Sequence, residues 1–179
     1  MVRAGRLLVD AHGAALGTAM VPLLDSHLEQ QQKDDAESDM VREGAVVFLG
    51  TLASHLNPGD PKVNAIMNTL LDVLTTPSEP VQRAVAGCLP PLTRRMAAQG
   101  PTQRAAVKTT VVDVLLKRAL QGTSYGDRRG AAFGLAGAVQ GLSIQSLNGC
   151  GIMAALQAGV ENKASANTRE GALFVYEVL

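Results

Sequence analysis

The chain has 179 residues, 46% of them hydrophobic but only 3% aromatic, and its sixteen acids balance its sixteen Lys and Arg residues. The length suits about one ordinary domain, and a core so poor in rings must be filled by Ala, Leu, Val and Met between closely approaching helices, which argues against a sandwich or barrel. Cys88 and Cys150 lie far apart with no C-x-x-C and no paired histidines, so neither a disulfide framework nor a zinc site is expected and a reducing compartment is the default.

At the N-terminus Arg3 and Arg6 precede the first acid, a faint transit-peptide feature, but helical apolar spacing continues past it. Residues 19–28 lead a first helical hairpin, the polar run 30–39 is expected to be a long, mobile, acidic loop, and Val41, Ala45, Phe48, Leu49, Leu52 and Leu56 return. Asp60 and Pro61 then open a helix whose apolar residues recur at three- and four-residue steps until Thr76 and Pro77 stop it. Ser78 is placed to cap the returning helix, Pro80 is tolerated in its first turn, and Pro90 with Pro91 predicts a kink or break near its end. In the third hairpin Val107, Val111, Val114, Leu115 and Leu120 lead and residues 125–142 return, with the extra length assigned to 94–103. The string SIQSLNGCG predicts a loop with a short helical turn before a fourth pair. Leu179 falls in mid-helix, so the natural product is expected to be longer or a further subunit to cover this face.

The returning segments share a pattern: VREGAVVFLGTL (41–52), VQRAVAGCLPPL (81–92), DRRGAAFGLAGAV (127–139) and TREGALFVYEVL (168–179). Gly44, Ala84, Gly130 and Gly171 fall in one column at intervals of 40, 46 and 41 residues. A helical unit of roughly 40 to 47 residues reads as an all-α HEAT or armadillo solenoid of about four hairpins, with approximate repeats at 14–56, 60–97, 103–142 and 150–179 in one array. Such a fold offers surface for partners and carries no single deep core.

Zero net charge conceals an asymmetry along the chain. Residues 25–43 hold seven acids against Lys33 and Arg42, while 93–129 hold eight bases against Asp113 and Asp127. Within the basic segment Lys117, Arg118, Arg128 and Arg129 are candidate contacts to a protein partner or to RNA phosphates if they share one turn edge. Only Tyr125 and Phe133 interleave with them, so base stacking is not expected. Arg42, Arg128 and Arg169 share a column with Gln82, a place from which an arginine can bridge neighbouring repeats. The glycines at 126, 130, 134, 137 and 141 indicate close helix packing, since each costs a helix roughly 0.8 to 1 kcal/mol relative to Ala and needs tight approach in return.

Catalytic signals are absent. His12, His27 and His55 are dispersed, Glu43 and Glu170 read as solvated structural carboxylates, and there is no H-E-x-x-H, G-x-S-x-G, G-x-G-x-x-G or G-K-[ST]. No active site, metal, cofactor or small-molecule substrate is called for. The longest near-apolar stretch, 130–142, is 13 residues and contains Gln140, short of the roughly 20 that cross a membrane.

The strings LASHLNPGDPKV, LTTPSEPVQRAVAGCLPPL, YGDRRGAAFGLAGAVQGL and REGALFVYEVL together resemble the central HEAT region of the general control non-derepressible 1 family, from about Leu7 to Leu179. YGDRRGAAFGLAG is the most specific element, because a generic HEAT consensus would not supply it. The resemblance implies a cytoplasmic, ribosome-associated, non-enzymatic scaffold that helps couple amino-acid starvation or stalled ribosomes to the kinase of initiation factor 2 alpha. It also implies an ATP-binding-cassette co-activator as a partner, and a kinase-binding region that maps to no residue here. The alternative is a HEAT subunit mediating protein contacts in an unrelated assembly.

Overall fold

A computed structural model of the chain describes residues 2–29 and 36–179, and among them every regular element is helical. The order is α1 (Val2–Glu29), α2 (Ala36–His55), α3 (Pro61–Val73), α4 (Glu79–Ala97), α5 (Pro101–Val107), a π-helical stretch (Lys108–Val112), α6 (Asp113–Gln121), α7 (Tyr125–Leu142), α8 (Ser146–Gly149), α9 (Ile152–Val160) and α10 (Ala166–Val178). Helices pair as α1/α2, α3/α4, α5–α6/α7 and α9/α10, and α2, α4, α7 and α10 stack as one layer. Every substantial helix contact joins elements of the same or the adjacent pair, the nearest-neighbour order of a solenoid. The fold is an all-α HEAT solenoid.

Local chemistry sets the helix starts. Asp60 is extended and its side chain accepts from the Lys62 N–H ahead of Pro61; Ser124 and Ser165 do the same for the N–H groups of Asp127 and Thr168. Ser78 occupies the N-cap of α4 but its side chain makes no cap bond, and its Oγ is buried without a partner. Apolar stripes then meet in a layer running the length of the array. Leu49 and Leu52 of α2, Ile66 and Leu70 of α3, Leu89 and Leu92 of α4, Leu115 of α6, Leu135 of α7, and Ile152 and Leu156 of α9 are fully buried. They belong to one continuous cluster from Val9 to Val175, so the neighbour-to-neighbour core is shallow yet unbroken.

Three expectations are corrected. The leading helix of the first pair begins at Val2 and not near Ala19, and α2 begins at Ala36, so residues 36–39 of the expected acidic loop are helical. Glu37 and Asp39 sit in the first turn of α2, where the helix dipole favours carboxylates; residues 30–35, with Asp34 and Asp35, lie outside the described residues. The extra length assigned to 94–103 is mostly helix: α4 extends to Ala97, Gly100 turns the chain at φ 145°, and Pro101 starts α5. Finally, α4 runs unbroken through Pro90 and Pro91.

Packing against α7 explains the last result. Pro90 has no N–H for the Ala86 carbonyl, and an ideal Cβ on Gly137 would stand 2.4 Å from that oxygen. Gly141 comes as close to the Pro90 carbonyl, at 2.5 Å from its own ideal Cβ. The buried Thr93 Oγ donates back to Leu89 and reaches the Ala138 carbonyl at 3.4 Å. Glycines of α7 therefore lay their backbone on the altered stretch of α4, and the packed layer keeps the helix continuous through residues that would end an isolated one.

Candidate partner-binding surface

Gln82 of α4 has no exposed surface, and its side-chain amide joins three elements. Nε2 donates to the carbonyls of Leu74 at 3.1 Å and Thr76 at 2.7 Å, groups left without helical partners where α3 ends. The Gly126 carbonyl also lies 2.9 Å from Nε2, so its two N–H groups are shared among three carbonyls, while Oε1 accepts from Arg129 Nε at 2.9 Å. A short neutral side chain in the arginine column thus ties the second pair to α7 of the third. Arg129 continues outward to the Pro77 carbonyl at 2.7 Å and to Glu79 at 3.3 Å. Glu79 accepts from Arg83 at 2.8 Å, and that hydrogen bond, against an opposing desolvation and with the charges of Arg83 and Arg129 adding, holds its carboxyl below the ordinary 4.5.

The other members of the column differ. Arg42 of α2 donates to Thr76 Oγ1 of the next pair at 3.2 Å. Arg128 of α7 is buried: its Nε donates to Glu170 of α10 at 3.0 Å, and one terminal nitrogen reaches the Gly122 and Thr123 carbonyls at 3.0 and 3.3 Å. Glu170, expected to be simply solvated, is the partner of this buried cation. Arg169 stays within its own pair, donating to the Asn162 carbonyl at 2.6 Å.

Two further arginines that the column did not single out join neighbouring pairs. Arg95, in the last turn of α4, donates to the Ser54 and Leu56 carbonyls at the end of α2. Arg118 of α6 donates to the Leu71 carbonyl at 2.6 Å and to Asp72 at 3.1 Å. Their common signal is a basic residue near a helix end, roughly forty residues after the free carbonyls of the preceding pair.

Of the four proposed phosphate contacts, three direct their guanidinium groups into the protein. Arg128 is buried, Arg129 spans Gln82, Pro77 and Glu79, and Arg118 holds the end of α3. Lys117 is exposed, in an open groove of about 570 Å³ that it lines with Arg118, Gln121 and Asp127. Tyr125 at this edge is 52% exposed; Arg129 lies 5.3 Å above its ring and Phe174 of α10 meets it edge-on at 5.2 Å. Phe133 is buried beneath Arg83, so neither ring is a free stacking platform.

Elsewhere the described residues hold no group of three or more His, Cys, Asp or Glu placed to bind a metal. His55 meets Asp10 at 3.1 Å between α2 and α1, the buried Cys88 thiol donates to the Val46 carbonyl at 3.7 Å, and neither Cys88 nor Cys150 is in a disulfide among the described residues. No helix is long and apolar enough to cross a membrane among the described residues.

This surface of helix ends has known relatives. The family described as "Stalled ribosome sensor GCN1, HEAT repeats" matches residues 1–54. Protein ILITYHIA of Arabidopsis thaliana is 43% identical over 179 residues, and the human stalled ribosome sensor GCN1 is 39% identical over 181. The eIF-2-alpha kinase activator GCN1 of Saccharomyces cerevisiae is 30% identical over 183 residues. Each similarity takes in the whole chain but only 6% of the relative's own length. No solved structure matches the chain. An all-helical solenoid with this likeness along its full length belongs to the GCN1 family, as one of its HEAT-repeat regions.

Proposed function

We propose that the chain serves as a non-enzymatic, cytoplasmic scaffold segment in translational control, acting with the ribosome and with the pathway that activates the eIF-2-alpha kinase. The observation that carries this reading is 30 to 39% identity over 99 to 100% of the chain to proteins named as a stalled ribosome sensor and an eIF-2-alpha kinase activator. The physical organisation supports a scaffold: polar side chains are spent on joining one helix pair to the next, which fixes the pitch of an extended surface. An ATP-binding-cassette co-activator belongs to the same reading, on family resemblance alone. For the ribosome, Lys117 is the member of the proposed basic set with its cation turned outward, and it is the residue assigned here to ribosomal phosphate.

The test uses the full-length protein in cells that depend on it. A Gln82→Leu and Gly130→Leu double replacement, aimed at the joint between the second and third pairs, should reduce both ribosome co-sedimentation and starvation-induced phosphorylation of initiation factor 2 alpha. Full retention of both, with the segment shown by proteolysis to be disrupted, removes this stretch from the pathway.

A further inference from the structure

Between α3 and the start of α5 lies a groove of about 360 Å³, within the usual range of ligand pockets, whose lining contains no charged residue. Asn64 and Asn68 of α3 form one wall, and Gln99 of the α4–α5 turn and Gln103 of α5 form the other. All four are exposed, and none hydrogen-bonds through its side chain to another described residue. The buried side chains of Met67, Met96 and Val107 supply an apolar floor.

We propose that this groove binds an extended, uncharged stretch of polypeptide main chain. Each primary amide offers one carbonyl acceptor and one NH₂ donor, the complement of a main-chain N–H and C=O. Spacing reinforces the chemistry. Asn64 and Asn68 are four apart on one helix, which sets their Cβ atoms roughly 5 to 6 Å apart, and groups on one side of an extended chain recur every two residues, about 6.6 Å. Flexible amide side chains bridge the difference, so two successive main-chain groups can be met from one wall. An apolar side chain on the inward face then rests on the two methionines, whose unbranched thioethers adapt to varied shapes.

Charge separates a peptide from nucleic acid. Arg104 follows Gln103 directly but lines a different depression, with Lys108 and Cys150, so the amide groove has no cation to meet a phosphate. Beside it the backbone departs from α-helix: Val107 immediately precedes the π stretch and Thr110 lies within it, an irregularity that recurs at functional sites. The inference stands on the groove and is independent of the pathway proposed above.

The experiment titrates the 179-residue chain, labelled with ¹⁵N, with an acetylated and amidated tetrapeptide of alanine and leucine, and in parallel with a uridine tetranucleotide. Saturable shifts of the side-chain amide resonances of Asn64, Asn68, Gln99 and Gln103 are expected with the peptide and not with the nucleotide. Asn68→Leu with Gln99→Leu, at exposed sites where helicity should be kept, is expected to weaken peptide binding about tenfold, the effect of removing two hydrogen bonds of ordinary strength. Gln103→Ala gives an independent check and should weaken it less. The proposal is overturned if peptide at millimolar concentration shifts none of these resonances, if the nucleotide shifts them equally, or if the double variant binds as tightly as the parent.

Discussion

At the residue scale the glycine column divides into two kinds. A Cβ on Gly130 would stand 2.0 Å from the Leu74 carbonyl and 2.7 Å from Gln82 Nε2, and one on Gly171 would stand 1.8 Å from the Ala119 carbonyl. One on Gly44 meets nothing within 4 Å. Gly130→Ala should therefore destabilise the chain by about 1 to 3 kcal/mol through overpacking against backbone, with Gly130→Leu worse, while Gly44→Ala should gain up to about 1 kcal/mol of helix propensity. Thermal melts of the two alanine variants moving in the same direction would contradict this assignment. Gln82→Leu preserves volume but leaves the carbonyls of Leu74, Thr76 and Gly126 without their donor, and a loss of about 1 to 3 kcal/mol is expected in denaturant unfolding. Gln82 itself was legible only as a member of the arginine column. Its partners are main-chain carbonyls, which leave no trace in residue identities.

At the element scale α4 and α7 act as a matched pair. Two prolines in a helix interior cost about 3 kcal/mol each in isolation, and here the glycines of α7 approach the stretch that the prolines alter. Gly137→Ala should force the helices apart at the Ala86 carbonyl and lower the melting temperature, whereas Gly87→Ala on α4, where a Cβ meets nothing within 4 Å, should not. Equal melting temperatures for the two variants would mean that α7 does not rest on α4 as described. Periodicity predicted both helices, but the survival of α4 through Pro90 and Pro91 depends on glycines some fifty residues later, Gly137 against the Ala86 carbonyl and Gly141 against the Pro90 carbonyl. For the same reason the start of α2 at Ala36 was not legible: the polar run 30–39 carries loop character locally, while the helix dipole favours Glu37 and Asp39 in a first turn.

At the scale of the whole molecule, charge that looks available in the sequence is largely engaged in joining helix pairs. Arg118→Ala and Arg129→Ala should each reduce stability by about 1 kcal/mol, the usual net value of such hydrogen bonds, while Lys117→Ala should leave the melting temperature unchanged. If Lys117 meets ribosomal phosphate, its removal should flatten the dependence of log affinity on log salt by roughly 0.7 to 0.9. A slope unchanged by Lys117→Ala in ribosome binding would assign this edge to solvent. Hydrophobic period, turn residues and the forty-residue recurrence determined by themselves that the chain is an all-helical solenoid, because those features act over a few residues and repeat. Tertiary structure alone decided which polar groups remain free, since a guanidinium or amide is claimed by whichever carbonyl the next helix pair brings within about 3 Å. That proximity turns Arg128, Arg129 and Gln82 inward and leaves Lys117 and the amides of Asn64, Asn68, Gln99 and Gln103 facing outward.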